Sequence, residues 1–264
     1  FMLVGFLILH AISGDVTAIS GTSFRLIGGS DALLSHPEAI RAALEDAGLF
    51  VPVLALLGIG AAAKSAQVPL HIWLPNAMEA PTPVSAFLHS ATMVKAGVYL
   101  VGRMRPLLIT DEWMLLFATL GLVTMTVTAI LAVAAADIKE LLAYSTASHL
   151  GLIIAGFGIT NVLGGETGVF HILNHALFKA ALFLVAGIVA HEAGTRMIDE
   201  VGGLRHDLPI TAGVTVVAAL GMAGVPPFNG FYSKEFLFEA AYEVAAHDGG
   251  LFWLLPIVAV FGSV

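Results

Sequence analysis

From Leu49 to Ala63 the chain carries no charged residue, and after a polar interval it is mostly apolar again from Pro83 to Val101. Runs of this kind constrain the fold more than any other feature, because about 20 apolar residues make a helix long enough to cross a bilayer. Lys64 follows directly on the first run, inside a hydrocarbon-length segment that extends past it, and Lys95 falls inside the second. A lysine near the middle of a membrane helix costs roughly 2.5 to 3.5 kcal/mol on insertion scales. The stretch KSAQVPLHIWLPNAMEAPTPVSAFLHSATMVKAG, residues 64–97, sets ionisable and helix-breaking residues inside two such spans, and the remaining segments read as its scaffold.

Composition fits a membrane solvent. Of 264 residues 58% are hydrophobic and 11% charged, whereas soluble domains carry about 25% charged residues. Mean hydropathy is +0.93. The formal net charge of −8 reads as solvated loop charge, since most acids lie between the apolar segments. Basic residues never gather into a stripe, which excludes a nucleic-acid partner. The absence of cysteine excludes disulfides, thiolate metal sites and cysteine-bound iron–sulfur clusters, so redox chemistry would have to lie in other chains and no cofactor is implied. Gly58 to Ser65 approaches a nucleotide-binding loop and fails, because Ala63 stands where the last glycine is required and no strand precedes it.

The expected fold class is an all-α, polytopic membrane helical bundle. Residues 1–12 read as a partial transmembrane helix. Residues 13–48, with Arg25, Arg41 and several acids, read as an extramembrane loop carrying a short surface helix at 39–47 behind Pro37. Residues 49–264 read as one transmembrane helical domain, incomplete at both ends and part of a longer protein. Its spans are expected at about 49–73, 83–101, 113–136, 141–159, 167–190, an interrupted 209–246, and 251 onward. Basic loop residues divide as Arg25, Arg41, Arg103 and Arg105 against Lys139, Arg196 and Arg205, which sets no orientation.

Lysine and arginine are sorted. All six arginines lie in loops or at helix ends, whereas Lys64, Lys95, Lys179 and Lys234, four of the five lysines, lie inside spans. Arginine keeps its charge under almost any burial, but a desolvated lysine can release its proton. Snorkelling to the interface is the bland alternative for each of the four. His171, His175 and Lys179 recur every fourth residue and so project from one helical face, a stepwise path for protons. A zinc site is the rival reading of the two histidines, but the HExxH glutamate is missing and a lysine stands beside them. His71 and His89 extend the relay or satisfy freed carbonyls. His149, following Ser145 and Ser148, is a weaker candidate to link the two halves. Glu79 either pairs with a lysine or caps the helix after it, and Asp137 and Lys139 neutralise each other.

Two spans carry proline breaks. Val68-Pro69 follows Lys64, and Val225-Pro226-Pro227 precedes Lys234. Proline removes a donor, and inside a membrane the freed carbonyls need protein or water, so breaks mark hydrated cavities. The reversed order of lysine and proline points to inverted repeats.

The segments KSAQVPLHIWLPNAMEAPTPVSAFLHSATMVKAGVYL, DIKELLAYSTASHLGLI, FHILNHALFKAALFLVAGIV and GVPPFNGFYSKE together resemble the antiporter-like proton-translocating family shared by respiratory complex I and Mrp-type multisubunit sodium/proton antiporters. The first is more similar to the large A subunit of Mrp antiporters than to its complex I counterpart, which tends to carry another residue at Lys95. The resemblance implies a multi-pass protein of a bacterial or archaeal cell membrane, working with other membrane subunits, protons and sodium ions. It implies a proton relay of Lys64 at the first broken helix, His89 and Lys95 on the next, His171, His175 and Lys179 at the centre, and Lys234 at the second break. It also implies a glutamate partner for Lys64 in an earlier helix, outside these residues. A redox-driven proton pump of the complex I or hydrogenase type is the alternative function.

Overall fold

The computed structural model describes residues 1–16 and 32–263, which leaves Arg25 outside the described residues. These residues form twelve α-helices: α1 Met2–Asp15, α2 Pro37–Asp46, α3 Phe50–Lys64, α4 Trp73–Asn76, α5 Thr82–Ser90, α6 Met93–Leu108, α7 Asp111–Ala134, α8 Ile138–Gly158, α9 Val162–Ala193, α10 Pro209–Ala223, α11 Asn229–Asp248 and α12 Leu254–Ser263. Among the described residues there is no strand, only a single antiparallel bridge between Asp137 and Met197.

Local chemistry sets the helix starts. Thr110 caps α7 by accepting from the Trp113 amide, Asp137 caps α8 through the Lys139 and Glu140 amides, and Asn161 caps α9 through the Gly164 amide. A polar side chain at this position satisfies one of the amides that the first turn leaves unpaired. These three helices therefore begin before the apolar residues that marked their expected starts. α9 ends at Gly194, whose φ of +70° suits glycine.

α8 sits at the centre, packed on α7 and α9, with α6, α4 and α11 against it. Its pairing with α7 depends on missing side chains. A Cβ on Gly121 would lie 2.3 Å from the Ala155 nitrogen, and one on Gly158 2.3 Å from the Ala118 nitrogen. Lipid chains are as apolar as leucine, so membrane helices gain by close backbone approach at small residues.

By length and composition, four helical stretches can cross a membrane: Thr82–Leu108, α7, α8 and α9. α1, α10 and the segment Gly250–Ser263 are shorter apolar helices, and α2 and α3 meet at 112°. The expected seven spans are reduced because several break or shorten. The span at 49–73 stops at Lys64: Ala66 turns to a φ of +50°, and Pro69 has no amide to offer the helix. The span at 83–101 is itself interrupted between Ser90 and Met93, where the Thr92 hydroxyl donates to the Phe87 carbonyl at 2.9 Å. α11 carries Glu235, Glu239 and Glu243 along an exposed face.

Two charge assignments need correction. Asp137 pairs with Arg196 at 3.0 Å rather than with Lys139, because the 194–198 loop bonds back onto the α7–α8 connection through Ile138 and Ile198. Lys139 turns inward, 6% exposed, and donates to the Ala80 carbonyl at 3.2 Å. Arg105, counted with loop charges, lies half-buried on α6 and donates to the carbonyls of Phe157, Ile159 and Asn161, closing the C-terminal end of α8. The Phe157 and Ile159 carbonyls lie where α8 ends and lack helical amide partners, whereas Asn161 is the N-cap of α9.

Candidate functional site

α9 supplies the backbone of the site. Its buried face runs through Gly164, Thr167, Gly168, His171, Asn174, His175, Phe178, Lys179 and Leu182, the three-and-four spacing of one helical stripe. His171, His175 and Lys179 are fully buried. The expected column is therefore present, but its members are not wired to one another.

His171 is tied sideways. Its Nε2 lies 2.9 Å from His149 Nδ1 on α8, the two rings stacking with centroids 5.0 Å apart. Its Nδ1 lies 2.7 Å from the Ser233 hydroxyl on α11. Two imidazoles and a hydroxyl thus cross three helices. His175, one turn along, has its ring 6.4 Å from that of His171 and 5.6 Å from that of His149. Neither of its nitrogens has a hydrogen-bond partner among the described residues, and Nδ1 of His89 has none either. His89 packs its ring 4.9 Å from that of Phe183. A buried polar atom without a partner costs about 1–3 kcal/mol, so these rings mark positions that favour internal water.

Each buried lysine ends on oxygen acceptors. Lys179 donates to the Leu142 carbonyl at 3.2 Å and to the Ser145 hydroxyl, both on α8. Lys95, near the start of α6, reaches the Ile172 carbonyl in α9 at 2.6 Å. Lys234 donates to the Ala223 carbonyl at 2.9 Å, at the end of α10, and to the Ser263 carbonyl at 2.8 Å in α12. The second break creates that cradle: α10 stops with its carbonyls unspent, and Gly224 at φ +76° turns the chain away. A Cβ on Gly224 would lie 2.8 Å from Lys234 Cδ, so the turn and the lysine both require glycine there.

Carbonyls and hydroxyls accept from an ammonium or an amine alike, so these contacts suit either charge state of the lysines. No carboxylate bonds any of them among the described residues. Nor do three His, Asp or Glu side chains group as metal ligands there.

Lys64 stands apart. It lies in the last turn of α3 with its side chain exposed, and no described residue bonds it. The expectation of a buried, mid-span lysine fails at this position because α3 ends at the residue itself. Beside it Ser65 is buried and donates to the Ala61 carbonyl at 2.6 Å. The structure thus brings together Lys95, His171, His175, Lys179, Lys234 and His89, and leaves Lys64 outside the group.

His149, offered by the sequence as a weaker link, joins them together with Ser145 and Ser233. α8 is buried nearly all round, so no exposed polar face singles out His149. The available signal was the spacing Leu142, Ser145, His149, one stripe facing α9. His149, Ser145, Ser148, Lys234 and Glu235 share the wall of a cavity of about 700 Å³ between α7, α8 and the α10–α12 segment.

Fold and site together define a multi-pass membrane protein whose interior is lined with titratable side chains. The chain belongs to the NADH:quinone oxidoreductase/Mrp antiporter transmembrane family, whose model matches residues 1–262. It is 44% identical over 277 residues to the A1 subunit of the Na(+)/H(+) antiporter of Staphylococcus aureus (strain Newman), covering 97% of this chain and 34% of that relative. A relative from Rhizobium meliloti (strain 1021), the probable A/B subunit of a K(+)/H(+) antiporter, is 49% identical over 243 residues, 92% of this chain and 23% of its own. Among solved structures, the Mrp complex from Dietzia sp. DQ12-45-1b superposes with a TM-score of 0.83 at 36% identity, covering 99% of this chain and 28% of that one. The membrane-bound sulfane sulfur reductase, an archaeal respiratory membrane complex, gives 0.76 at 26% identity, with 98% and 52% covered. The chain spans about a quarter to a third of the length of the curated relatives it matches.

Proposed function

We propose that this chain is the proton-translocating part of the large A-type component of a multisubunit cation/proton antiporter, passing protons through a buried lysine and histidine relay coupled to sodium extrusion. The observation that carries the reading is the set of amines enclosed in a membrane bundle, each resting on neutral oxygen acceptors rather than on a carboxylate. Lys95, Lys179 and Lys234 exchange protons, His175 and His89 bridge between them, His171 contributes from α9, and Lys64 serves the first broken helix. Other membrane subunits of the complex cover the exposed faces, Lys64 among them, and the lipid bilayer surrounds the assembly. Within it, residues 1–12 form part of a span, α2 a surface helix outside the membrane, and 49–263 the antiporter-like domain; the rest of the loop expected at 13–48 lies largely outside the described residues. The two broken helices belong to inverted repeats.

The names of the relatives support exchange of a monovalent cation for protons, sodium in one case and potassium in another. The likeness to an archaeal respiratory complex keeps a redox-driven pump as the second reading. The complete complex in everted vesicles without an electron donor decides between them. Sodium added to acidified vesicles dissipates the proton gradient if the first reading holds, and potassium does so if that is the cargo. A strict requirement for an electron donor overturns it.

A further inference from the structure

α8 and α10 both pack on α9 and scarcely meet each other, so the later turns of α9 form the floor of a groove between them. It encloses about 480 Å³. Its α10 wall is one helical stripe, Thr211, Thr215, Ala219 and Met222, and Leu182 and Val189 pave the floor. From Pro209 to Met222 that wall rises about 20 Å, comparable with the roughly 15 Å of hydrocarbon in one leaflet. Spread over this length, the volume gives a section roughly 5 Å across, whereas a helix with its side chains is about 10–12 Å wide. The shape suits a single extended chain. Water has little to bind inside, because the Thr215 hydroxyl is spent on the Thr211 carbonyl at 2.7 Å and a buried water needs roughly two to four polar partners.

Charge gathers at one end. Arg205, four residues before α10, lines the mouth and is exposed. Among the described residues no carboxylate pairs with it, and its only hydrogen bond runs from Nε to His206 Nε2 at 3.5 Å. The neighbouring basic groups are occupied, Arg196 by Asp137 at 3.0 Å and Lys139 by the Ala80 carbonyl. Asp199, Glu200 and Asp207 share the loop but do not line the groove, so attraction for an anion rests on direct contact with the guanidinium and not on a diffuse field.

We propose that this groove is a binding site for an anionic phospholipid, with one acyl chain lying along α10 and the phosphate held by Arg205. The planar guanidinium matches two phosphate oxygens at once. The chain fills space that the apolar walls deny to water. Leu141 and Met222 line both this groove and the large cavity beside Lys234, and so form the partition between them. A bound chain backs that partition from the lipid side. It also steadies α10, whose last residue, Ala223, offers the carbonyl that accepts from Lys234.

The test uses the complete complex, purified in detergent and stripped of native lipid. Phosphatidylglycerol with a photoreactive diazirine at the end of one chain is titrated in, and phosphatidylcholine with the same chains serves as the uncharged comparison. The expected result is saturable labelling of the α9 and α10 segments that wall the groove. Half-saturation comes at about 5-fold less phosphatidylglycerol than phosphatidylcholine, the weight of one basic residue at an anionic surface, and Arg205→Gln removes that preference. Equal labelling by both lipids shows ordinary boundary lipid and overturns the proposal, as does a preference that survives Arg205→Gln. No label in the groove, as when a helix of another subunit fills it, overturns it as well. Should Arg205→Gln fail to assemble, the two lipids compared on the unaltered complex decide. The assay needs no ion flux, so its failure leaves the antiporter reading untouched.

Discussion

Gly224→Ala tests whether the second break exists to place Lys234. The residue sits at φ +76°, where an L side chain costs about 1–2 kcal/mol. Its new methyl would stand 2.8 Å from Lys234 Cδ, 3.2 Å from Cε and 3.4 Å from Nζ. The lysine is flexible, so it yields rather than the backbone, and the steric term adds little to stability. Yielding displaces the amine from the Ala223 and Ser263 carbonyls, hydrogen bonds worth about 1.5–3 kcal/mol each when the donor is charged. The expected phenotype is a complex that loses about 1–2 kcal/mol to backbone strain plus up to about 1.5–3 kcal/mol for each lysine hydrogen bond left unmade, and that exchanges ions far more slowly. Gly213→Ala is the control: nothing lies within 4 Å of a Cβ there, and alanine in a helix interior gains up to about 1 kcal/mol over glycine. Thermal unfolding of the detergent-solubilised complex reads the stability, and the sodium-driven pH gradient in everted vesicles reads the exchange. A Gly224→Ala complex with unchanged exchange would refute the argument that the cradle around Lys234 matters.

Further outcomes follow from other parts of the fold. Lys179→Met keeps the buried volume and removes the amine from Leu142 and Ser145; assembly persists, and vesicle exchange falls by about 100-fold or more if the relay passes there. Gly158→Val pushes a side chain into the Ala118 backbone at 2.3 Å and lowers the thermal midpoint through a loss of at least about 1–3 kcal/mol, with α7 and α8 forced apart. Asp137→Asn retains a side chain able to cap α8 and loses only the partly exposed pair with Arg196, so the stability change stays within about 1 kcal/mol and shrinks further at high salt.

The spans and the buried lysine and histidine positions were legible for different reasons. Apolar runs announced α7, α8 and α9 because a bilayer demands length and forbids charge, and the His171, His175, Lys179 spacing named a face before any coordinate did. Prolines announced two breaks. The third, at Ala91 and Thr92, was not legible, because it is made by a threonine hydroxyl turned onto the Phe87 carbonyl, a choice settled by packing and not by residue type. Lys139 and Arg105 were misplaced for a related reason: a basic residue at the end of an apolar run reads as loop charge, and only the fold shows the unspent carbonyls of Ala80 or of Phe157, Ile159 and Asn161 that draw it inward. His149 was hidden by a helix buried on nearly every side.

α9 differs from its neighbours in running 32 residues without interruption. His171, His175 and Lys179 are therefore fixed at about 6 Å of axial rise per step, like marks on a stiff rule. Distances along it cannot serve as a valve. In the proposed relay, opening and closing would then fall to ring rotation or to the chain breaks at Ala66, Thr92 and Gly224, with the middle held still.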